Sequence, residues 1–382
     1  MKYYLICLLL VIGTLRAQNQ QTPCPSANQG IVPQSTEVQA LLDSIVNQGI
    51  PGIAISIRTK QGSWSGSAGY ARLEDRTPMT SCHLQYLQSV SKTVMSVAIL
   101  QLVSEKKIRL DAPLEDYLPK EQAKYLTTSR RVTIRMLLNH TSGLPEYNMR
   151  PLYVSRLLQH PDYRFQPVDY LKFIDGLPLD FEPGSKYSYR NTDHLVLALI
   201  ADAITGDHAA WINEHVFKPL KLEHTFYRQD PDYLKYPELP DSYWDRHSDG
   251  MIENVTTLQR NNVAALIGDD GIVATPSDAV QFLHGLLEGR LLSPEMLSEM
   301  KIWAKDAKGN PRYGLGLAYR TIAGQEAWGH SGGGIGAGCE LYYLPGKQVY
   351  YFVAINLGTV TDSPIHDRLA PWLDKLHEAI AR

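Results

Sequence analysis

Strand-like segments sit at both ends of this chain with helical segments between them, an order that few folds can close. Near the amino end, Pro51 to Arg58 sets Ile53, Ile55 and Ile57 against Ala54, Ser56 and Arg58. That period of two gives a strand one large apolar face. Ser63 to Tyr70 reads as its hairpin partner. Near the carboxyl end lie strand-like runs at Tyr313 to Arg320, Glu326 to His330, Gly338 to Leu344 and Gln348 to Asn356. The run from Gln348 to Ile355 is almost unbroken Val, Tyr, Phe and Ile, as a central strand requires. Helices are expected at Glu37 to Val46, Ser89 to Val103, Val132 to Asn139, His194 to Ile204, Ser277 to Leu287 and from about Ile365. The simplest closure is an α/β (α+β) fold: a mostly antiparallel sheet built from both chain termini, flanked by helices, with an all-helical insertion. The sheet part covers residues 36–80 and 272–382, and the helical part 81–271. Phe226 to Trp244, carrying Tyr227, Tyr233, Tyr236, Tyr243 and Trp244, reads as a loop.

The 382 residues are 44% hydrophobic and 20% charged with a formal charge of −3. That apolar content excludes a disordered chain, and the charge balance lacks the basic stripe of a nucleic-acid binder. Lys2 precedes an apolar run from Tyr3 to Ile12, then Gly13 to Ala17. Ten apolar residues are half of the roughly 20 a membrane helix needs, so residues 1–17 are read as a secretory signal peptide and 18–33 as a linker. The remaining domain, residues 34–382, is expected to be periplasmic or secreted, with no stable membrane span after signal cleavage. Cys7 would leave with the signal; Cys24, Cys82 and Cys339 then allow one disulfide at most, of undetermined pairing.

Three short motifs carry chemistry. Ser89-Val90-Ser91-Lys92 puts a hydroxyl and an amine on one helical face, near a helix N-terminus that favours negative charge. The same spacing recurs at Ser104 to Lys107 and Ser298 to Lys301 without a similar setting, and Ser89 alone would read as a helix cap. Tyr189-Arg190-Asn191 is the only Tyr-x-Asn, and in extended backbone Tyr189 and Asn191 share a side while Arg190 points away. His330-Ser331-Gly332 ends a strand and opens a glycine-rich run, along which a substrate backbone could approach closely.

With these motifs the chain resembles the serine β-lactamase and penicillin-binding protein family, in the branch of class C β-lactamases, D-alanyl-D-alanine carboxypeptidases, esterases and D-aminopeptidases. The resemblance runs from about Thr36 to the C-terminus and includes Leu137 to Leu144, Tyr313 to Gly316 and Thr275 to Asp278. It implies a β-lactamase/transpeptidase-like fold and an acyl-enzyme mechanism without metal or other cofactor. Ser89 would be the nucleophile, Lys92 its proton partner, and Tyr189 a general base or acid. Asn191, His330, Ser331 and Gly332 would bind substrate, with the main-chain amides of Ser89 and Gly333 as the oxyanion hole. Lys92 and Tyr189 both remain candidates for the base, because each ordinarily ionises about three units above neutral pH.

His330 replaces the lysine usual in β-lactamases. An imidazole is mostly neutral at pH 7 and anchors a carboxylate poorly, so a peptidase- or esterase-like hydrolase of a small-molecule or peptide substrate is favoured over a β-lactamase or carboxypeptidase. A peptide-binding module without turnover is the non-enzymatic alternative. Gly268-Asp269-Asp270-Gly271 also departs from the small residues common in relatives; two acids near a cleft could select a cationic or amine-bearing substrate, but a solvated turn is the favoured reading. Gly329 to Gly333 fits the nucleophile-elbow pattern Gly-x-Ser-x-Gly, but strand-like sequence follows where that elbow needs a helix. His208 and His215, near Glu214, lack the further ligands of a zinc site. His140 is read as part of a turn after its helix.

Overall fold

The computed structural model describes residues 29–126, 130–227 and 239–382. The signal peptide, Cys24, Tyr233 and Tyr236 lie outside the described residues. The amino end supplies β1 (Gly52–Arg58) and β2 (Gly62–Arg72). Three short strands come from the middle: β3 (Gln85–Tyr86), β4 (Thr225–Tyr227) and β5 (Ile272–Ala274). The carboxyl end supplies β6 (Pro311–Tyr313), β7 (Ala318–Ile322), β8 (Gln325–Gly333), β9 (Gly338–Leu344) and β10 (Val349–Ile355). The main sheet runs β2-β1-β10-β9-β8-β7-β6, each pair antiparallel. Gln29–Gly30, assigned to the linker from sequence, pairs with β2, and Val32 enters the core.

The alternation read in the sequence divides two cores. In β10, Val349, Tyr351, Val353 and Ile355 join Ile53, Ile55 and Ile57 of β1 beneath α1 (Ser35–Val46) and the C-terminal helix Pro364–Ile380. Tyr350, Phe352 and Ala354 face the other way, into the core that contains α2 (Ser91–Ser104). Phe352 sits opposite Ser56 of β1, and the helix Pro276–Leu287 packs on this face, where Arg58 donates to Gln281 Oε1 at 3.2 Å. Small side chains on that face of β1 leave room for a helix; isoleucines on the other fill the first core.

Two expectations need correction. The insertion is not all-helical: β3 and β4 lie within it and pair with β5 in a separate three-stranded sheet, so Ile272–Ala274 does not join the main sheet. Strands of two or three residues are too short to display a period. Tyr313 to Arg320 is not one strand but the end of β6, a turn and the start of β7. Gly316 adopts φ +86° in that turn, and a Cβ on it would lie 2.1 Å from Ser96 Oγ of α2.

The small sheet fixes where α2 begins. Leu87 N–H donates to Ile272 O at 3.0 Å, and the chain then turns through Gln88 at φ +47° into the 3-10 turn Gln88–Val90 and α2. This turn sits on β8. A Cβ on Gly332 would lie 2.6 Å from Gln88 Cβ, 2.7 Å from Leu87 O and 2.8 Å from Cys339 Sγ of β9. Gly332→Ala is therefore expected to overpack this contact, destabilising the protein by about 1–3 kcal/mol. Scanning calorimetry checks this; an unchanged unfolding midpoint would mean that the turn shifts freely.

Candidate active site

The three motifs converge on one cleft of about 1260 Å³, lined by Ser89, Tyr189, Asn191, His330, Ser331 and Gly333 among others. Ser89 does not cap a helix: it lies in the 3-10 turn, and its Oγ accepts a hydrogen bond from Lys92 Nζ at 2.9 Å. The left-handed Gln88 just before it costs about 1–3 kcal/mol of strain that the surrounding contacts must offset. Lys92 is fully buried because α2 is apolar on nearly every side. Its amine also donates to the main-chain oxygen of Asp269 at 2.9 Å. The other two Ser-x-x-Lys segments form no such pair: Ser104 and Ser298 each donate to a carbonyl four residues back.

Tyr189 precedes the helix α3 (Asn191–Thr205) in extended backbone. The Ser89 side chain favours the ionised form of its phenol, and its ring lies 5.1 Å from Lys92 Nζ and 4.5 Å from the His140 ring. Arg190 points away, as expected, and pairs with Asp180 at 2.6 Å. Asn191 opens α3, and its main-chain N–H donates to Glu146 Oε2 at 2.5 Å. His140, in the left-handed region at φ +59°, follows the short helix Ile134–Leu138. It is buried beneath Tyr189 and contacts Asp193, whose other oxygen accepts from Ser142.

His330 packs on β8 with Nδ1 2.5 Å from Ser331 O and Nε2 2.8 Å from the Tyr313 hydroxyl. A carbonyl can only accept, which assigns the proton to Nδ1 and leaves Nε2 to accept from Tyr313. Ser331 lies inside a strand with its Oγ accepting from Arg320 at 3.2 Å, so the nucleophile-elbow reading lacks its helix. Gly332 serves the protein rather than a substrate, because the space it frees is filled by Leu87, Gln88 and Cys339.

Burial dominates the electrostatics. It lowers the Lys92 amine from its usual range, with Asp269, Asp270, Glu146 and Asp193 pulling against it. Burial also raises the Tyr189 phenol, although the residue keeps 38% exposure, which weakens that push, and the Ser89 side chain opposes it. For His330, burial and then the Lys92 cation lower the imidazole to about 3. An amine made less basic beside a hydroxyl can accept its proton.

Asp269 and Asp270 correct the solvated-turn expectation: both are buried and line the cleft. Sequence reasoning also missed Gln88, Glu146 and Asp193, for which no motif gave a signal. Of the aromatic loop, Tyr227 and Tyr243 are buried and Trp244 lines the cleft. His208 bonds with Asp202 and Tyr227, and His215 stacks on Trp211, so neither reaches the cleft. Cys82 is disulfide-bonded and Cys339 is a free, buried thiol.

A serine with a buried lysine one helical turn away, beside an antiparallel sheet flanked by helices, is an arrangement of the β-lactamase type. The family model described as Beta-lactamase matches residues 36–371, and the chain belongs to that family. It is 26% identical over 256 residues to a putative penicillin-binding protein of Bacillus subtilis (strain 168), covering 66% of this chain and 59% of that protein. A D-aminopeptidase of Brucella anthropi is 28% identical over 293 residues, covering 75% of this chain and 52% of its own length. The chain thus spans only part of both relatives. A D-stereospecific amidohydrolase from Streptomyces sp. superimposes with a TM-score of 0.74 at 25% identity, covering 88% of this chain and 97% of that one.

The His330 assignment has a spectroscopic consequence. Its ring nitrogens should show no titration between about pH 5 and 8 in nitrogen-detected NMR, with the proton on Nδ1 throughout. A midpoint near the ordinary histidine value of about 6.5 would overturn the neutral assignment.

Proposed function

We propose that the chain is an exported serine hydrolase in which Ser89 attacks an amide or ester carbonyl and Lys92 takes its proton. The observation that carries this reading is the 2.9 Å contact between the Ser89 hydroxyl and a fully buried amine. Of the two candidate bases, Lys92 is favoured, since burial makes its neutral form accessible while it makes the Tyr189 phenolate harder to form. Tyr189 then relays a proton to the departing amine or alcohol as the carbonyl–leaving-group bond breaks. The Ser89 and Gly333 main-chain amides face the developing oxyanion, and Asn191 contacts a substrate amide. Water adds to the Ser89 ester, gives up a proton to the same base, and releases the acid. A D-aminopeptidase and a D-stereospecific amidohydrolase among the relatives support an amide of a small amino-acid or peptide substrate.

Export is supported by the apolar run at Tyr3 to Ile12 and by a disulfide at Cys82, which persists in oxidising compartments. Among the described residues no single helix is long and apolar enough to cross a membrane.

A carboxylate-terminated substrate, as for a D-alanyl-D-alanine carboxypeptidase or a β-lactamase, is the second reading. It is favoured by Arg320, whose guanidinium lies 3.2 Å from Ser331 Oγ at the cleft.

Two experiments test these readings. A fluorophosphonate probe should label Ser89 in mass spectrometry; Ser89→Ala should abolish labelling, and Lys92→Met should slow it by about 10²–10⁴-fold. Labelling at Ser331, or labelling that survives Ser89→Ala, overturns the assignment. A protein that is never labelled is instead a binding module. His330→Lys should raise kcat/KM for β-lactams or carboxylate-terminated peptides by supplying a permanent cation; no gain would remove the argument from the missing lysine.

A further inference from the structure

Asp269 and Asp270 stand side by side in the cleft wall, 4% and 7% exposed. Asp269 Oδ2 accepts from the Tyr147 hydroxyl at 2.8 Å, and its Oδ1 is buried with no hydrogen-bond partner among the described residues. Asp270 Oδ1 accepts from the adjacent Gly271 N–H at 2.7 Å. The buried cation nearby, Lys92, spends its hydrogen bonds on Ser89 Oγ and the Asp269 main-chain oxygen, not on either carboxylate. Burial, and for Asp270 the neighbouring Asp269, raise both carboxyls, Asp270 to about 7. Lys92 acts on these acids only through its charge, with no hydrogen bond to either carboxylate; buried acids left without such a bond are costly, and an incoming cation would both complete their bonding and draw them into the ionised state.

We propose that Asp269 and Asp270 bind the free ammonium group of the substrate, so that the cleft takes an aminoacyl amide or ester with an unblocked amine. This rests on the serine-hydrolase reading. The charge pattern of the cleft supports the placement. The acids line the same cleft as Tyr153 and Leu157, and Tyr153 feels the charge of both. Arg320, also in the cleft lining, donates to Ser331 Oγ and not to either acid. An ammonium is therefore drawn to the acidic wall, with an apolar side chain against Tyr153 and Leu157, and the guanidinium is left to the departing group. A site whose polar groups are buried for one partner leaves them unpaired when that partner is missing, which is how such sites discriminate.

The test compares kcat/KM for phenylalanine p-nitroanilides of both chiralities with a free amine, an N-acetylated amine and no amine. The full chain should prefer the free amine by about a hundredfold or more. Asp270→Asn keeps the shape and the acceptor for Gly271 but removes the charge, and should shrink that preference at least about tenfold, chiefly through KM. Equal cleavage of the N-acetylated compound, or an undiminished preference in Asp270→Asn, overturns the inference. Fluorophosphonate labelling of Ser89 without turnover of any of these anilides also overturns it while sparing the serine-hydrolase reading; absence of labelling sinks both. Should Asp270→Asn fail to fold, phenylalaninol and its N-acetyl derivative are compared as inhibitors of the unmodified protein. Competitive inhibition by the free amine alone supports the ammonium site, and equal inhibition by both overturns it.

Discussion

A methyl group on Gly332 would come within 2.6 Å of Gln88 Cβ and within 2.8 Å of Cys339 Sγ, so the turn that bears Ser89 is seated on the bare backbone of β8. Much of the site depends on that seat. It brings Ser89, carried by a turn between a short strand and a helix, against His330 and Ser331, carried by a strand roughly 240 residues later. Neighbouring glycines serve the same approach: a Cβ on Gly334 would meet Gln88 Oε1 at 2.5 Å. The Cys339 thiol donates to Leu87 O at 3.2 Å and holds the turn from the next strand. Side chains along this edge would separate the nucleophile from the other motifs before any chemistry was at issue.

On this frame, burial sets the charge state of nearly every group. Lys92, His140, His194 and His330 are all pushed toward neutrality by desolvation, and the cation of Lys92 depresses the three imidazoles further. Asp193, Asp269 and Asp270 are likewise pushed toward neutrality, which for a carboxyl is the protonated form. A region of low dielectric thus holds several groups that change charge when one proton or one ion moves. Loss of the usual lysine at position 330 belongs to this balance. A second permanent cation there would lower the carboxyls and disfavour protonation of Lys92, shifting the cleft from amine recognition toward carboxylate recognition.

How much of this was legible depended on whether a residue's role is local. Ser89 and Lys92 share a helical face by spacing alone, and Tyr189 and Asn191 share a side because extended backbone alternates. The β10 strand showed itself through a run that both cores require to be apolar. The two- and three-residue strands β3, β4 and β5 left no period, and the glycines at 314 and 316 broke a strand that composition had joined. Asp269 and Asp270 misled because a Gly-Asp-Asp-Gly turn is ordinarily solvated; only packing against Tyr147 and the Lys92 amine buries it. Gln88 carries no signal at all, since its left-handed backbone is imposed by the contacts on either side of it.

The chain order makes the site depend on contacts between residues far apart in sequence. Ser89 and Lys92 are local to one helix, but Tyr189 lies about 100 residues onward and His330 about 240. The strand that carries His330 reaches the amino-terminal strands only through β9 and β10, since β10 pairs with β1 from Tyr350 to Ile355. Closing loops of that length is entropically costly and gives a high contact order. Without β8 and β9, the turn bearing Ser89 lacks the glycine edge and the Cys339 contact beneath it. An unfinished chain carries a serine and a lysine at the right spacing without that support. The seat of Ser89 therefore depends on strands from the far end of the chain.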